Sequence, residues 1–237
     1  MTDTLDSVQT RRALMKSALV MASGAVVSAC ATKTLNLASG PAPIVPVPHV
    51  APIPAAPQVA KAGPIAPGSI RPELFKRAVA ALNRHSMRVP SHDRIAIADF
   101  ATPSFRPRFH IVNLGNGEVQ SFLVAHGVGS DPEHTGLLHS FSNAINSEAT
   151  SEGAFLTADY YVGKHGDSQR LLGLDPTNNN AFDRAIVVHS AWYSNADMVA
   201  KHGKLGRSQG CFAVGENELA KVFERLGPGR MIYSAKV

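Results

Sequence analysis

One cysteine and one histidine carry the chemistry open to this sequence. Cys211 closes the run Gly206-Arg207-Ser208-Gln209-Gly210-Cys211. Glycine, serine and glycine ahead of a cysteine describe a tight turn whose backbone N–H groups can point one way and hold an oxyanion beside the sulfur. His189 ends the apolar run Ala185-Ile186-Val187-Val188 and is followed by Ser190, which puts its ring at the rim of a buried strand. A thiol is mostly protonated at neutral pH and needs such a base to become a nucleophile. The plain alternatives are a small buried cysteine and a histidine that only caps a strand. A glycine-rich turn is poor core material, which favours chemistry. The two residues are far apart in sequence, so the fold must bring them together.

The elements able to do so fall within residues 70–237. Ile70-Arg71-Pro72-Glu73 opens a helix, and Phe75, Ala78, Val79 and Leu82 continue it at helical spacing. Strands are expected over Arg94–Phe100, Phe109–Leu114, Glu118–His126, Phe155–Val162, Gln169–Leu174, Ala185–His189 and Met231–Ser234. Gly115-Asn116-Gly117 joins the second and third as a hairpin. Glu216–Leu226 reads as a helix with Leu219, Val222, Phe223 and Leu226 on one face, stopped by Gly227-Pro228-Gly229. The expected fold is a single domain, mainly β with a few helices.

The preceding residues do not read as fold. Residues 1–29 form an export signal: Thr10-Arg11-Arg12-Ala13-Leu14-Met15-Lys16 is charged, and Ser17 to Ala29 is uncharged and too short to span a bilayer. The paired arginines resemble a twin-arginine signal, with a general export signal as the alternative. Val27-Ser28-Ala29-Cys30 resembles a bacterial lipobox with Cys30 as the lipidated residue; ordinary cleavage at Ala29-Cys30-Ala31 is the rival. Ala31 is not aspartate, which by resemblance directs a lipoprotein to the outer membrane rather than to inner-membrane retention. Residues 30–69 are a linker, with nine prolines between Pro41 and Pro67 and no periodic core pattern.

The whole chain has 237 residues, a net charge of +5, 44% hydrophobic and 17% charged residues. That excludes a disordered, collagen-like or fibrous protein. Two cysteines cannot build a disulfide scaffold. The positive charge is not gathered in runs, which argues against a nucleic-acid partner and suits a surface that meets anionic wall polymer or lipid headgroups.

Ser208-Gln209-Gly210-Cys211, with a strand-end histidine upstream, resembles the S-x-G-C signature of the L,D-transpeptidase (YkuD) catalytic domain family. Tyr161-Val162-Gly163-Lys164-His165-Gly166, Leu171-Leu172-Gly173-Leu174, Arg184-Ala185-Ile186-Val187-Val188-His189 and Gly206-Arg207-Ser208 resemble the divergent branch labelled murein L,D-transpeptidase catalytic domain. The resemblance runs from about Arg94 to Val237. It implies a YkuD-like β-sandwich, no cofactor, and action on peptidoglycan stem tetrapeptides. By motif position Cys211 is the nucleophile and His189 the base. Ser190 supplies a carbonyl that orients the base, and the Gly210 and Cys211 N–H groups face the oxyanion. A neighbouring stem's amine would then resolve the thioester into a 3→3 cross-link. Hydrolysis by the same pair, as a carboxypeptidase or endopeptidase, and an inactive lipid-tethered wall-binding protein are the alternatives.

Two departures from the main branch stand out. Gln209 replaces the usual histidine of the signature, and Phe212 and Ala213 stand where arginine usually follows the cysteine. Arg207, which precedes it, is a candidate for a substrate carboxylate. Ser208, Gln209, His165, Trp192 and Tyr193 complete the expected substrate-binding set. His126, His134, His139, His165 and His202 lack the spacing of a zinc protease, so no metal site is expected.

Overall fold

Apolar and β-branched runs bounded by glycine, proline and asparagine recur from residue 94 to residue 235 and assemble into one sheet. The structure, a computed structural model, describes residues 64–237. The export signal, Cys30 and most of the linker lie outside the described residues. Among the described residues no helix is long and apolar enough to cross a membrane.

Helix α1 (Pro72–Arg84) opens on Pro72, whose missing N–H costs nothing there, with Glu73 in the first turn at the positive end of the helix dipole. The strands are β1 (Arg94–Asp99), β2 (Phe109–Asn113), β3 (Val119–Phe122), β4 (Gly153–Gly163), β5 (Gly166–Gly173), β6 (Val187–Ser190), β7 (Phe212–Val214) and β8 (Met231–Ala235). They form a single eight-stranded sheet in the order β3-β2-β1-β8-β4-β5-β6-β7. The last strand of the chain sits mid-sheet, parallel to β1 and antiparallel to β4. Helices α2 (Ala196–His202) and α3 (Leu219–Leu226) complete the domain.

Apolar side chains from one face of the strands converge on one core, which includes Phe109, Phe155, Leu171, Val188, Phe212 and Ile232. The other face of β1 and β8 is covered by α1 through Leu74, Phe75, Ala78 and Leu82. The sheet also closes on itself. After β3 the chain crosses to the far edge, where the Ala125 N–H donates to the Ala213 carbonyl at 2.8 Å and Gly127 bridges Ser208. The expected sandwich is therefore one curled sheet packed against itself. The residue after the cysteine is a hub of its core: the Phe212 ring lies 5.4 Å from that of Phe155, 6.2 Å from Phe100 and 6.3 Å from Phe109. Burying a phenylalanine stabilises by roughly 1.5–3 kcal/mol, so the turn that carries Cys211 is anchored by core packing.

Several expected boundaries differ for local reasons. The strand expected over Glu118–His126 stops at Phe122, because the residues beyond it bridge to β7 and residue 208 instead of β2. The expected first turn of the last helix is spent otherwise: the Glu216 N–H donates to Asn195 Oδ1 at 2.8 Å, and α3 begins at Leu219. Strand β6 starts at Val187 rather than Ala185, because Ala185 has a φ of 52° that no strand permits. Helix α2 and strand β7 are not anticipated by the sequence reading; at seven and three residues they carry too little periodicity.

Candidate active site

Strands β6 and β7 run parallel, with Val188 opposite Phe212 and His189 opposite Ala213. Side chains alternate along a strand. Val188 and Phe212 point into the core, which turns His189 and Cys211 to the other face. Both line one cavity of about 290 Å³, together with Tyr161, Lys164, His165 and Arg184. A larger cavity of about 520 Å³, bordered by Pro107, Phe122, Asn195 and Glu218, contains neither a cysteine nor a histidine. Chemistry, not size, selects the smaller one.

His189 is 1% exposed, and its Nδ1 lies 2.8 Å from the Ser190 carbonyl. A carbonyl can only accept, so Nδ1 carries the proton and Nε2 has the free lone pair. Burial pushes the imidazole down to about 4; the Ser190 hydrogen bond opposes this, while His165 and Lys164 add to it. Cys211 is 7% exposed, and its thiol donates to the Ala185 carbonyl at 3.6 Å. The left-handed backbone of Ala185 sits where that carbonyl meets the sulfur. Burial raises the thiol's pKa, and the Val187 N–H, Lys164 and Arg184 pull it down without outweighing burial. Both shifts favour the uncharged forms, the thiol over the thiolate and the imidazole over the imidazolium. The cysteine is both buried and cavity-lining, where the sequence reading treated these as alternatives.

The turn before Cys211 is braced from three sides. The Ser208 hydroxyl donates to the Cys211 carbonyl at 2.7 Å and accepts from the Gly210 N–H at 3.2 Å. Ser208 is 4% exposed and holds the turn while it also lines the cavity, and the Gly210 N–H is directed at Ser208. Gly210 has φ of 106°, and a Cβ there would lie 2.8 Å from the Ala149 carbonyl oxygen, so only glycine fits. Beneath it Arg184 donates to the carbonyls of Ser142 and Ser147, at 2.7 and 2.8 Å, and to Ala149. The segment 126–131 lies alongside: the Ser208 N–H donates to the His126 carbonyl at 2.9 Å and the Val128 N–H to the Ser208 carbonyl at 2.8 Å.

That segment rests on a buried ionic chain. Arg108, wholly buried, donates to the Val124 and Thr102 carbonyls and to His126 Nδ1 at 2.7 Å, with its guanidinium 4.9 Å from the Phe100 ring centroid. His126 Nε2 meets Asp131 at 3.2 Å. Burial and Arg108 push His126 down to about 4. Burial alone would raise Asp131; hydrogen bonds from the Thr135 and Gly136 N–H groups, the Thr135 hydroxyl and His126 outweigh it and hold the carboxyl at about 2.

A second cavity, about 390 Å³, adjoins the first and shares Tyr193, Arg207, Ser208 and Gln209 with it; Trp192, His134 and Glu148 line it further. Arg207 is fastened through one nitrogen to the carbonyls of Asp131 and Pro132, so its fork is not wholly free for a substrate carboxylate. Gln209 Nε2 donates to Glu148 Oε1 at 2.8 Å; its amide serves that carboxylate rather than the oxyanion turn. Trp192 is 65% exposed, and Tyr193 packs edge-on to it and accepts the Gly206 N–H at 2.7 Å. His165, at the tip of the β4–β5 hairpin, stacks on His189. The sequence reading gave no role to Lys164, Arg184 or Glu148. Lys164 and Arg184 lay inside quoted motif blocks, but no local pattern marks Glu148. Among the described residues no group of three or more His, Cys, Asp or Glu side chains is placed to hold a metal.

No curated protein matches the sequence. Solved structures do: an L,D-transpeptidase from Mycobacterium smegmatis (15% identity, TM-score 0.37, covering 60% of this chain and 58% of that one) and Mycobacterium tuberculosis L,D-transpeptidase 1 (15%, 0.34, 60% and 60%). A third is the helical cell shape determining protein Pgp2 of Campylobacter jejuni (10%, 0.41, 62% and 48%). The chain spans less than two thirds of these structures' own length. The sequence model described as the L,D-transpeptidase catalytic domain matches residues 67–234, the same stretch that builds the curled sheet and both cavities. The chain belongs to the L,D-transpeptidase catalytic domain family.

Proposed function

We propose that this protein is a cysteine acyltransferase that makes 3→3 cross-links between peptidoglycan stem tetrapeptides. The observation that carries the reading is that His189 on β6 and Cys211, the residue before β7, line a single cavity of a family member. His189 Nε2 accepts the thiol proton as Sγ bonds to the carbonyl carbon at the L-centre of the third stem residue. The proton then passes to the departing D-alanine nitrogen as the C–N bond breaks, leaving a Cys211 thioester. Because both uncharged forms are favoured, proton transfer accompanies attack. The Cys211 N–H is the oxyanion donor left once the Gly210 N–H is engaged by Ser208. An amine from a second stem displaces the thiolate and completes the cross-link. The chain is exported to the periplasm and held at the outer membrane through acylated Cys30, with residues 30–69 as the spacer.

Incubating the purified protein with disaccharide-tetrapeptides and weighing the products tests this. Cross-linked dimer with loss of one D-alanine is expected from the wild type and none from Cys211→Ala. Equal turnover by that variant would overturn the mechanism.

A further inference from the structure

The charged side chains around the nucleophile are unevenly divided between the two cavities. The cysteine cavity is lined by Lys164 and Arg184, with Arg207 at its border, and by no carboxylate. The adjoining cavity shares Arg207 and is lined by one carboxylate, Glu148. Asp131, whose backbone carbonyl holds Arg207, is wholly buried with its carboxylate oxygens taken by Thr135, Gly136 and His126. Glu148 is exposed and has one oxygen engaged by Gln209, whose backbone forms part of the wall between the cavities. The carboxylate is therefore held against the turn that carries the nucleophile.

The two reactants of a stem cross-linking reaction differ in charge at their reacting ends. The donor ends in a carboxylate, that of the departing D-alanine. The acceptor presents an ammonium. We propose that Glu148 is the specificity-determining residue for the acceptor: its carboxylate draws the ammonium into the second cavity, while Lys164 and Arg184, which line the cysteine cavity alone, direct the carboxylate-ended donor to Cys211. This rests on the transpeptidase reading above and adds to it the residue that selects an amine over water. Like charges disfavour the swapped arrangement, in which the ammonium would meet Lys164 and Arg184 besides the shared Arg207 and would find no carboxylate. A focused negative potential raises the local concentration of cationic acceptor beside the thioester. In the transfer the amine nitrogen bonds to the thioester carbon and the C–S bond breaks. Of the two protons the ammonium sheds, one restores the Cys211 thiol and one leaves to solvent.

The test reads how the thioester partitions, a ratio set after acylation. The full protein is given disaccharide-tetrapeptide as donor and acceptor, and cross-linked dimer is measured against hydrolysed tripeptide below acceptor saturation. Glu148→Gln keeps an oxygen for Gln209 and removes the charge. It should lower the dimer-to-tripeptide ratio by roughly fivefold, the scale of one exposed ion pair. The wild-type ratio should fall towards that of the variant as salt is raised. A thioester detected by intact mass with an unchanged ratio in Glu148→Gln overturns the acceptor assignment alone. A fall that salt does not reproduce also overturns it, because lost structure rather than lost charge then explains the change. Absence of any thioester in the wild type overturns the functional reading and this assignment with it.

Discussion

The His165 ring lies stacked on His189, with centroids 4.3 Å apart and planes inclined by 22°. Two imidazoles face to face cannot both hold an extra proton cheaply, and Lys164 adds a third positive neighbour on the same hairpin tip. Cys211, Tyr193, Arg184 and Arg207 complete the groups around the shared cavity. His189 must be neutral to act as base, and with its pKa near 4 the acid limb of acylation is expected near pH 4 rather than 6.5. Removing the cover in His165→Ala lets water reach His189 and should move that limb upward by about one pH unit. The pH dependence of thioester formation, followed by intact mass, measures it. An unmoved limb would dissociate the stack from the base.

Gly210 and Gly166 both have positive φ but differ in their surroundings. A Cβ at Gly166 meets nothing within 4 Å, whereas at Gly210 it meets the Ala149 oxygen at 2.8 Å and Ile186 Cδ1 at 2.9 Å. Gly166→Ala should cost about 1 kcal/mol for its left-handed backbone. Gly210→Ala should cost about 2–4 kcal/mol and displace the nucleophile's turn. Denaturant unfolding of the two variants checks the order; equal losses would show that the Gly210 turn is not confined.

His126 sets a stability limit on the acid side. Its folded pKa is about 4 against 6.5 for the ordinary group. Between those values the unfolded chain binds a proton that the folded chain refuses, so stability falls as pH drops from 6.5 to 4. The loss per buried histidine of this kind is on the order of 3 kcal/mol. Asp131, held at about 2, keeps its own stabilising contribution until pH falls below about 4, so it does not mask this window. His126→Gln retains an acceptor for Arg108 and a donor for Asp131 without a titrating ring. Its urea midpoint should decline less steeply than that of the wild type across this range. Parallel profiles would assign the acid sensitivity elsewhere.

Cys30→Ser bears on location rather than chemistry. If Cys30 carries the lipid, the variant should leave the membrane fraction for the soluble periplasm while the purified protein retains its turnover. Cell fractionation decides this, and a wild-type protein found wholly soluble would favour ordinary cleavage beside Ala31.

What the sequence makes legible is what local pattern can encode. The helix from Pro72, the Gly115-Asn116-Gly117 hairpin and the strand leading to His189 each announce themselves through proline, glycine or an apolar run, and each is present. The glycine-rich approach to Cys211 is likewise a local signal. Arg184, Glu148 and Arg108 act through partners distant in sequence, and no local spacing says what each will meet. Ser208 and Gln209 stand out in the sequence through their place in the turn. Which way each side chain faces depends on Cys211 and Glu148, and so on the finished fold.

The closure of the sheet by Ala125 and Ala213 bears on when the protein becomes reactive. Contacts between segments so far apart along the chain demand the largest loss of chain freedom and form slowly. The same crossing supplies the backbone that grips Ser208 beside the thiol. A half-folded chain, with β1, β2 and the β4–β5 hairpin already paired, would still hold Cys211 on an unbraced loop away from its base. Completion of folding and bracing of the turn that carries Cys211 are thereby a single event.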